Sequence, residues 1–341
     1  MAMHMTSKSK AQMIVQIAVL VLLLISLINY KGAAGIRRIQ QAQTTGSLHF
    51  AELLVGRAAE SKTSLSAIAY LKIVWPALVF GILLSAAVRS SISRTPLHRI
   101  FNGVAAHDQL AAALAGAPLM LCSCCAVPMF PALYQTTRKV AAPLALVLAA
   151  PSLNPAALAL SFMLFPWRIA SMRLAMALFL VLLGSVGVAH ITRPQIGALL
   201  PSMATPESTW AGLIADYTKS VAYISLRTVP LLVIGIWASM WIMSRVTLAV
   251  SANGGRVLAI VAIAFLAVLV ALPSLFEIPL AVSVLAAGGP AGAAAALLFA
   301  GPAINLPSLL VIGRFSNWRV ALALAGIVWG IAVAGGLMLR S

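Results

Sequence analysis

Charge is what this sequence has least of. Six acidic residues stand in 341, against 23 lysines and arginines, and charged residues of all kinds make up only 9% of the chain. With 62% hydrophobic residues, that scarcity excludes a soluble core of this length and leaves no room for a sizeable soluble domain. Histidines number five and cysteines three, and no His lies near the cysteines in sequence, which excludes a four-ligand structural zinc site. No G-x-x-x-x-G-K-[ST] loop occurs, which excludes a built-in nucleotide-driven motor of that type. The formal charge of +17 comes from basic residues set between apolar runs, where they act as topology signals and headgroup contacts. A basic face interleaved with aromatics is absent, so nucleic acid is excluded as a partner.

What is present in quantity is apolar sequence. Runs near the ~20 helical residues needed to cross a ~30 Å hydrocarbon core recur from end to end. The chain reads as an all-α integral membrane protein, a polytopic helical bundle with the lipid bilayer as its partner. The stretch from Met13 to Tyr30 lacks a small-residue cleavage site and reads as a retained anchor helix. The polar segment from Lys31 to Lys62 reads as lying outside the bilayer.

Residues 125–170 laid over 276–321 without gaps pair Pro128 with Pro279, Pro151 with Pro302, Asn154 with Asn305, Trp167 with Trp318 and Arg168 with Arg319. Prolines, tryptophans and an asparagine are rare enough in apolar sequence for their coincidence to signal an internal repeat. Pro76 and Gly81 align with Pro230 and Gly235 just upstream. The expected organisation is an amino-terminal anchor and polar segment (1–65), a first transmembrane repeat (66–191), a connector (192–219) and a second repeat (220–341). Arg138 and Lys139 in the first copy stand opposite the uncharged Gly289 and Pro290, an asymmetry that favours inverted, pseudo-symmetric repeats. Arg168 and Arg319, kept in both copies, read as interface anchors.

Each repeat carries two interrupted helices, marked by Pro128 and Pro151 in the first and by Pro279 and Pro302 in the second. Backbone freed at membrane depth must be buried in protein or line a polar cavity, so the four breaks point to a central site. Asn154 and Asn305 can each cap a half-helix or contact a solute, and the repeat places them facing each other. Cys122, Cys124 and Cys125 crowd one break. A single cysteine reads as a small buried hydrophobe, whereas three within four positions suit a soft species held transiently. Glu277 falls opposite Ala126 in the repeat; an acid in a membrane break serves proton coupling or gating, or else snorkels to the interface. His107 and Asp108 read as belonging to the aqueous boundary.

The segment CSCCAVP, followed by APSLNPAAL and its twin AGPAINLPSL, resembles the YraQ/ArsP-type predicted permease family. That family's hallmark is Cys-Ser-Cys-Gly-x-x-Pro, then Gly-Pro-x-x-Asn-Pro. Members studied as ArsP export trivalent organoarsenicals across the inner membrane. The resemblance covers Pro76 to the carboxyl terminus and implies substrate-binding roles for Cys122, Cys124, Asn154 and Asn305. Two departures stand out: Cys125 replaces the family glycine, and Leu306 separates Asn305 from Pro307.

The expected function is a multi-pass inner-membrane permease, not an enzyme and without a cofactor. It would export a small thiophilic solute, such as a trivalent organoarsenical or another metalloid, by alternating access; homo-oligomerisation is left open. The substrate-binding set is Cys122, Cys124, Cys125, Asn154 and Asn305, with Glu277 for coupling or gating and no resident metal. A channel is the first alternative. A membrane thiol oxidoreductase is the second, disfavoured by the lack of a resolving cysteine elsewhere, of a histidine cluster, and of a C-x-x-C pair read at a helix start.

Overall fold

A computed structural model describes residues 105–137, 140–192, 210–245, 255–272, 275–286 and 288–339, with parts of 15–40 and 72–87. Arg138, Lys139 and most of the amino-terminal polar segment lie outside the described residues. Every regular element among the described residues is helical.

Two short apolar helices come first, α1 (Val21–Tyr30) and α2 (Leu78–Ala87). Then α3 (Ala105–Gly116) runs into a tight turn and an extended step before the single-turn α4 (Ser123–Ala126) and α5 (Met129–Thr137). Next come α6 (Ala141–Ser152), α7 (Pro155–Leu164) and α8 (Trp167–Phe179). Through a π-helical turn α8 continues into α9 (Ser185–Thr192). The remainder is α10 (Trp210–Arg245), α11 (Arg256–Leu269), α12 (Glu277–Ala286), α13 (Ala291–Ala303), α14 (Leu306–Phe315) and α15 (Trp318–Met338). Helix α10 starts inside the segment read as connector and runs on past residue 220 without a break.

Among the described residues three helical stretches are long and apolar enough to cross a membrane: Trp167–Ile191, Ile214–Ala238 and Trp318–Met338. The pairs α6–α7 and α13–α14 reach the same length only together, and each is bent by 43°. The bends follow from local sequence. Pro155 drives the preceding residue out of helical space, and Asn154 sits at ψ 116°. Pro151 and Pro302 do not themselves end their helices; both lie in the last turn, and the chain leaves helical geometry just after them. Pro279 differs more from expectation. It lies in the first turn of α12, where a missing N–H breaks no hydrogen bond. The interruption there is upstream: the backbone is extended at Val270, where α11 has ended, and α12 begins at Glu277.

Helices α6 and α13 form the centre. From Ala142 to Ser152 every residue of α6 is buried, and α13 is buried nearly as completely, as helices apolar on all sides must be. They touch each other; α3 packs on α6, α8, α11 and α15 pack on α13, and α10 packs on α14. Facing outward are large apolar side chains such as Leu226, Trp237, Phe265 and Leu322. Trp167 with Arg168, and Trp318 with Arg319, are exposed at the starts of α8 and α15, the arrangement that suits a membrane interface.

Two glycines set how closely the outer helices approach the breaks. A Cβ at Gly81 would collide with the backbone carbonyl of Cys125, and one at Gly235 would stand 2.6 Å from Pro307 Cα. Gly81→Ala is therefore expected to cost about 1–3 kcal/mol, the usual penalty of overpacking. Gly326→Ala, where a Cβ meets nothing within 4 Å, should be neutral or stabilising by up to ~1 kcal/mol. Thermal unfolding of both variants in detergent checks the contrast; equal shifts would count against the close approach.

Candidate functional site

Four stretches of interrupted backbone meet at one small cavity. Its lining is Leu121, Cys122 and Ser123 from the step before α4, Pro151 and Asn154 from the α6–α7 bend, Leu272, Leu275 and Glu277 from the entry to α12, and Pro302 from the end of α13. The cavity measures about 10 Å³, room for roughly one water. Two wall segments hold a residue in left-handed backbone, Met120 at φ 50° just before Leu121 and Leu275 at φ 73°. For residues with a Cβ that conformation costs roughly 1–2 kcal/mol each, and such strain gathers at functional sites.

The thiols are brought together by one helical turn. Cys122 precedes α4 in extended conformation while Cys124 and Cys125 lie within it, so positions three apart fall on one face. The Cys122 sulfur is 2.6 Å from that of Cys125 and 3.2 Å from that of Cys124; all three sulfurs lie within 4.8 Å of one another, and all are buried free cysteines. Only Cys122 reaches the cavity wall; Cys124 and Cys125 stand behind it. Cys122 and Cys125 also form a C-x-x-C pair at the start of α4. The reading that no such pair opens a helix is corrected here: the third cysteine between them hid a spacing that the sequence already contained.

Both asparagines cap half-helices. Asn154 Oδ1 accepts from the backbone N–H of Ala156 at 3.0 Å and of Ala157 at 3.4 Å. Asn305 Oδ1 accepts from Ser308 N at 3.2 Å and from Ser308 Oγ at 2.6 Å. They differ in access: Asn154 lines the cavity, whereas Asn305 is fully buried and does not line it. Asn305 Nδ2 and Ser152 Oγ have no hydrogen-bond partner among the described residues, an uncommon condition for buried polar atoms. Loss of the cap in Asn154→Ala should cost about 1 kcal/mol, and Asn154→Ser should recover most of it. Thermal midpoints of the two variants test this; equal losses would mean that the amide does more than cap.

Glu277 is buried and shares the cavity lining with Cys122. Its partner was not foreseen. Arg173 of α8, 1% exposed, donates from Nη2 to Glu277 Oε1 at 3.1 Å. From Nη1 it donates to the Ala157 carbonyl at 3.3 Å and to Ser161 Oγ. The available signal was helical phase: Arg173 falls on the stripe Ile169, Ala170, Arg173, Met176, Ala177 that α8 buries, whereas Arg168 falls on its outer face. Pro128 lies in the turn between α4 and α5 and Pro279 in the first turn of α12, and neither lines the cavity. His107 is exposed, but Asp108 is buried, contrary to its expected place at the aqueous boundary.

An all-helical architecture with several apolar helices of spanning length among the described residues is that of a multi-pass α-helical membrane protein. The chain belongs to the ArsP_1 predicted permease family, whose model matches residues 61–341, and this bears out the resemblance carried by CSCCAVP and the two asparagine motifs. It is similar to the UPF0718 protein YraQ of Escherichia coli (strain K12), at 27% identity over 279 residues that cover 80% of each chain. No solved structure matches it.

Proposed function

We propose that the chain is a secondary transporter that exports a small thiophilic solute, such as a trivalent organoarsenical, across the inner membrane by alternating access between two pseudo-symmetric, inverted halves. The observation that carries this reading is the convergence of all four interrupted segments on one cavity, with Cys122, Asn154 and Glu277 in its wall. Discontinuous helices in membrane transporters place their polar ends at a central solute site. Soft thiol ligands suit a soft trivalent centre, and three sulfurs on one turn can bind it without a resident metal. The equal 43° bends of the two long pairs, at positions that the repeat alignment equates, support two related halves. The cavity's size supports a closed state that must open to admit a solute. Coupling would come from an ion gradient or from the solute gradient alone, with Glu277 as the coupling or gating group.

Everted membrane vesicles carrying the chain should accumulate a trivalent organoarsenical that control vesicles do not. No accumulation across a panel of soft metalloids, soft metal ions and small sulfur compounds would overturn the reading.

A second reading, thiol–disulfide exchange, is favoured by the Cys122–Cys125 pair at the start of α4. Burial of all three thiols weighs against it, because exchange requires access for an attacking thiolate. Trapping of a mixed disulfide by Cys122 in a Cys125→Ser variant would establish this alternative.

A further inference from the structure

We propose that Arg173 is the positioning residue that clamps the two halves of the chain across the cavity, holding Glu277 against α7 so that the Cys122 wall stays shut. The inference rests on the reading that this cavity is the solute path, and adds the device that guards it.

One guanidinium joins three elements. It projects from α8 in the first half, reaches Glu277 of α12 in the second half, and also binds Ala157 and Ser161 of α7, the half-helix capped by Asn154. Arg173, which lines no part of the cavity itself, therefore holds the wall residue Glu277 directly and, through Ala157 and Ser161, the helix that Asn154 caps. With room for roughly one water, the cavity admits a solute only if a wall segment moves. A movement that parts α12 from α7 must break either the ion pair or the bonds to Ala157 and Ser161.

The repeat alignment supplies an internal comparison. Glu277 stands opposite Ala126 and Arg173 opposite Leu324, and both counterparts are completely buried. Equivalent places in the architecture are thus filled by apolar side chains, so packing alone does not call for the charges. The pair is also imperfectly satisfied, since Arg173 Nε has no hydrogen-bond partner among the described residues. A contact retained only for stability would do better with two hydrophobic residues. One that must open and close gains from an interaction that is strong only when its geometry is met.

The test reads access to Cys122 and needs no solute. The full-length chain, carrying Cys124→Ser and Cys125→Ser, is purified in detergent, and alkylation of Cys122 by N-ethylmaleimide is followed by mass spectrometry. Arg173→Gln is expected to raise the alkylation rate roughly tenfold, within the range that couplings between protein sites span. Arg173→Leu combined with Glu277→Ala installs the residues of the opposite half, leaves no lone charge, and should give the same acceleration in a monodisperse protein. Arg173→Lys keeps the charge and should stay closer to the parent rate. A folded double variant alkylated at the parent rate would overturn the clamp, as would failure of both Arg173→Gln and the double variant to fold. If alkylation behaves as expected while vesicles move none of the tested solutes, the clamp stands and the transport reading fails.

Discussion

Cys122→Ser is expected to reduce accumulation of a trivalent organoarsenical in everted vesicles by at least about tenfold while leaving the protein folded. Of the three sulfurs, only that of Cys122 stands both on the cavity wall and within contact of the other two. Its loss removes the ligand that an entering soft centre meets first. Substitutions that merely reorient metal ligands already cost roughly 10–100-fold in affinity, and removal of a ligand should cost no less. Serine is nearly isosteric and finds the same buried surroundings, so thermal stability should change little. Cys125→Ser should have a smaller effect, because that thiol lies behind the wall and stands where the family carries glycine. If Cys122→Ser transports at the parent rate, the thiols are packing residues and the cargo is not thiophilic.

Arg173→Ala is expected to destabilise the protein by about 3–5 kcal/mol, the usual consequence of breaking a buried ion pair at one end. The substitution leaves the Glu277 carboxylate in an apolar interior without its arginine, and removes the donors that Ala157 and Ser161 share. The combined Arg173→Leu and Glu277→Ala variant should lie within ~1 kcal/mol of the parent, since the desolvation of both charges is relieved together. Denaturation in mild detergent, followed by tryptophan fluorescence, separates the two cases. Equal destabilisation by the single and double variants would show that packing volume, rather than charge, is what the pair contributes.

Much of this was legible from residue order because the relevant physics is local. Apolar runs of spanning length, the dearth of acids and the basic residues between the runs leave a membrane bundle as the only economical reading. Where the chain bends at Asn154 is equally local: a proline immediately follows, and an asparagine supplies the cap. The three sulfurs needed only one helical turn to meet, although the C-x-x-C spacing within them was overlooked. Pro279 is less legible, since a proline breaks a helix or begins one according to where the helix starts, and here it falls in the first turn of α12.

Arg173 marks the boundary of such reasoning. Helical phase could have turned it inward, but nothing in the sequence around it names a partner 104 residues away. The sequence by itself determined the membrane class, the permease family and the chemical character of the breaks, because hydrophobicity, proline geometry and thiol clustering act over a few residues. Which breaks share a wall, that Asn154 lines the cavity while Asn305 does not, and that Arg173 meets Glu277 were decided only by the tertiary packing of the helices. That packing brings remote segments into the same few ångströms, a distance over which charge and sulfur chemistry operate and which linear order does not encode.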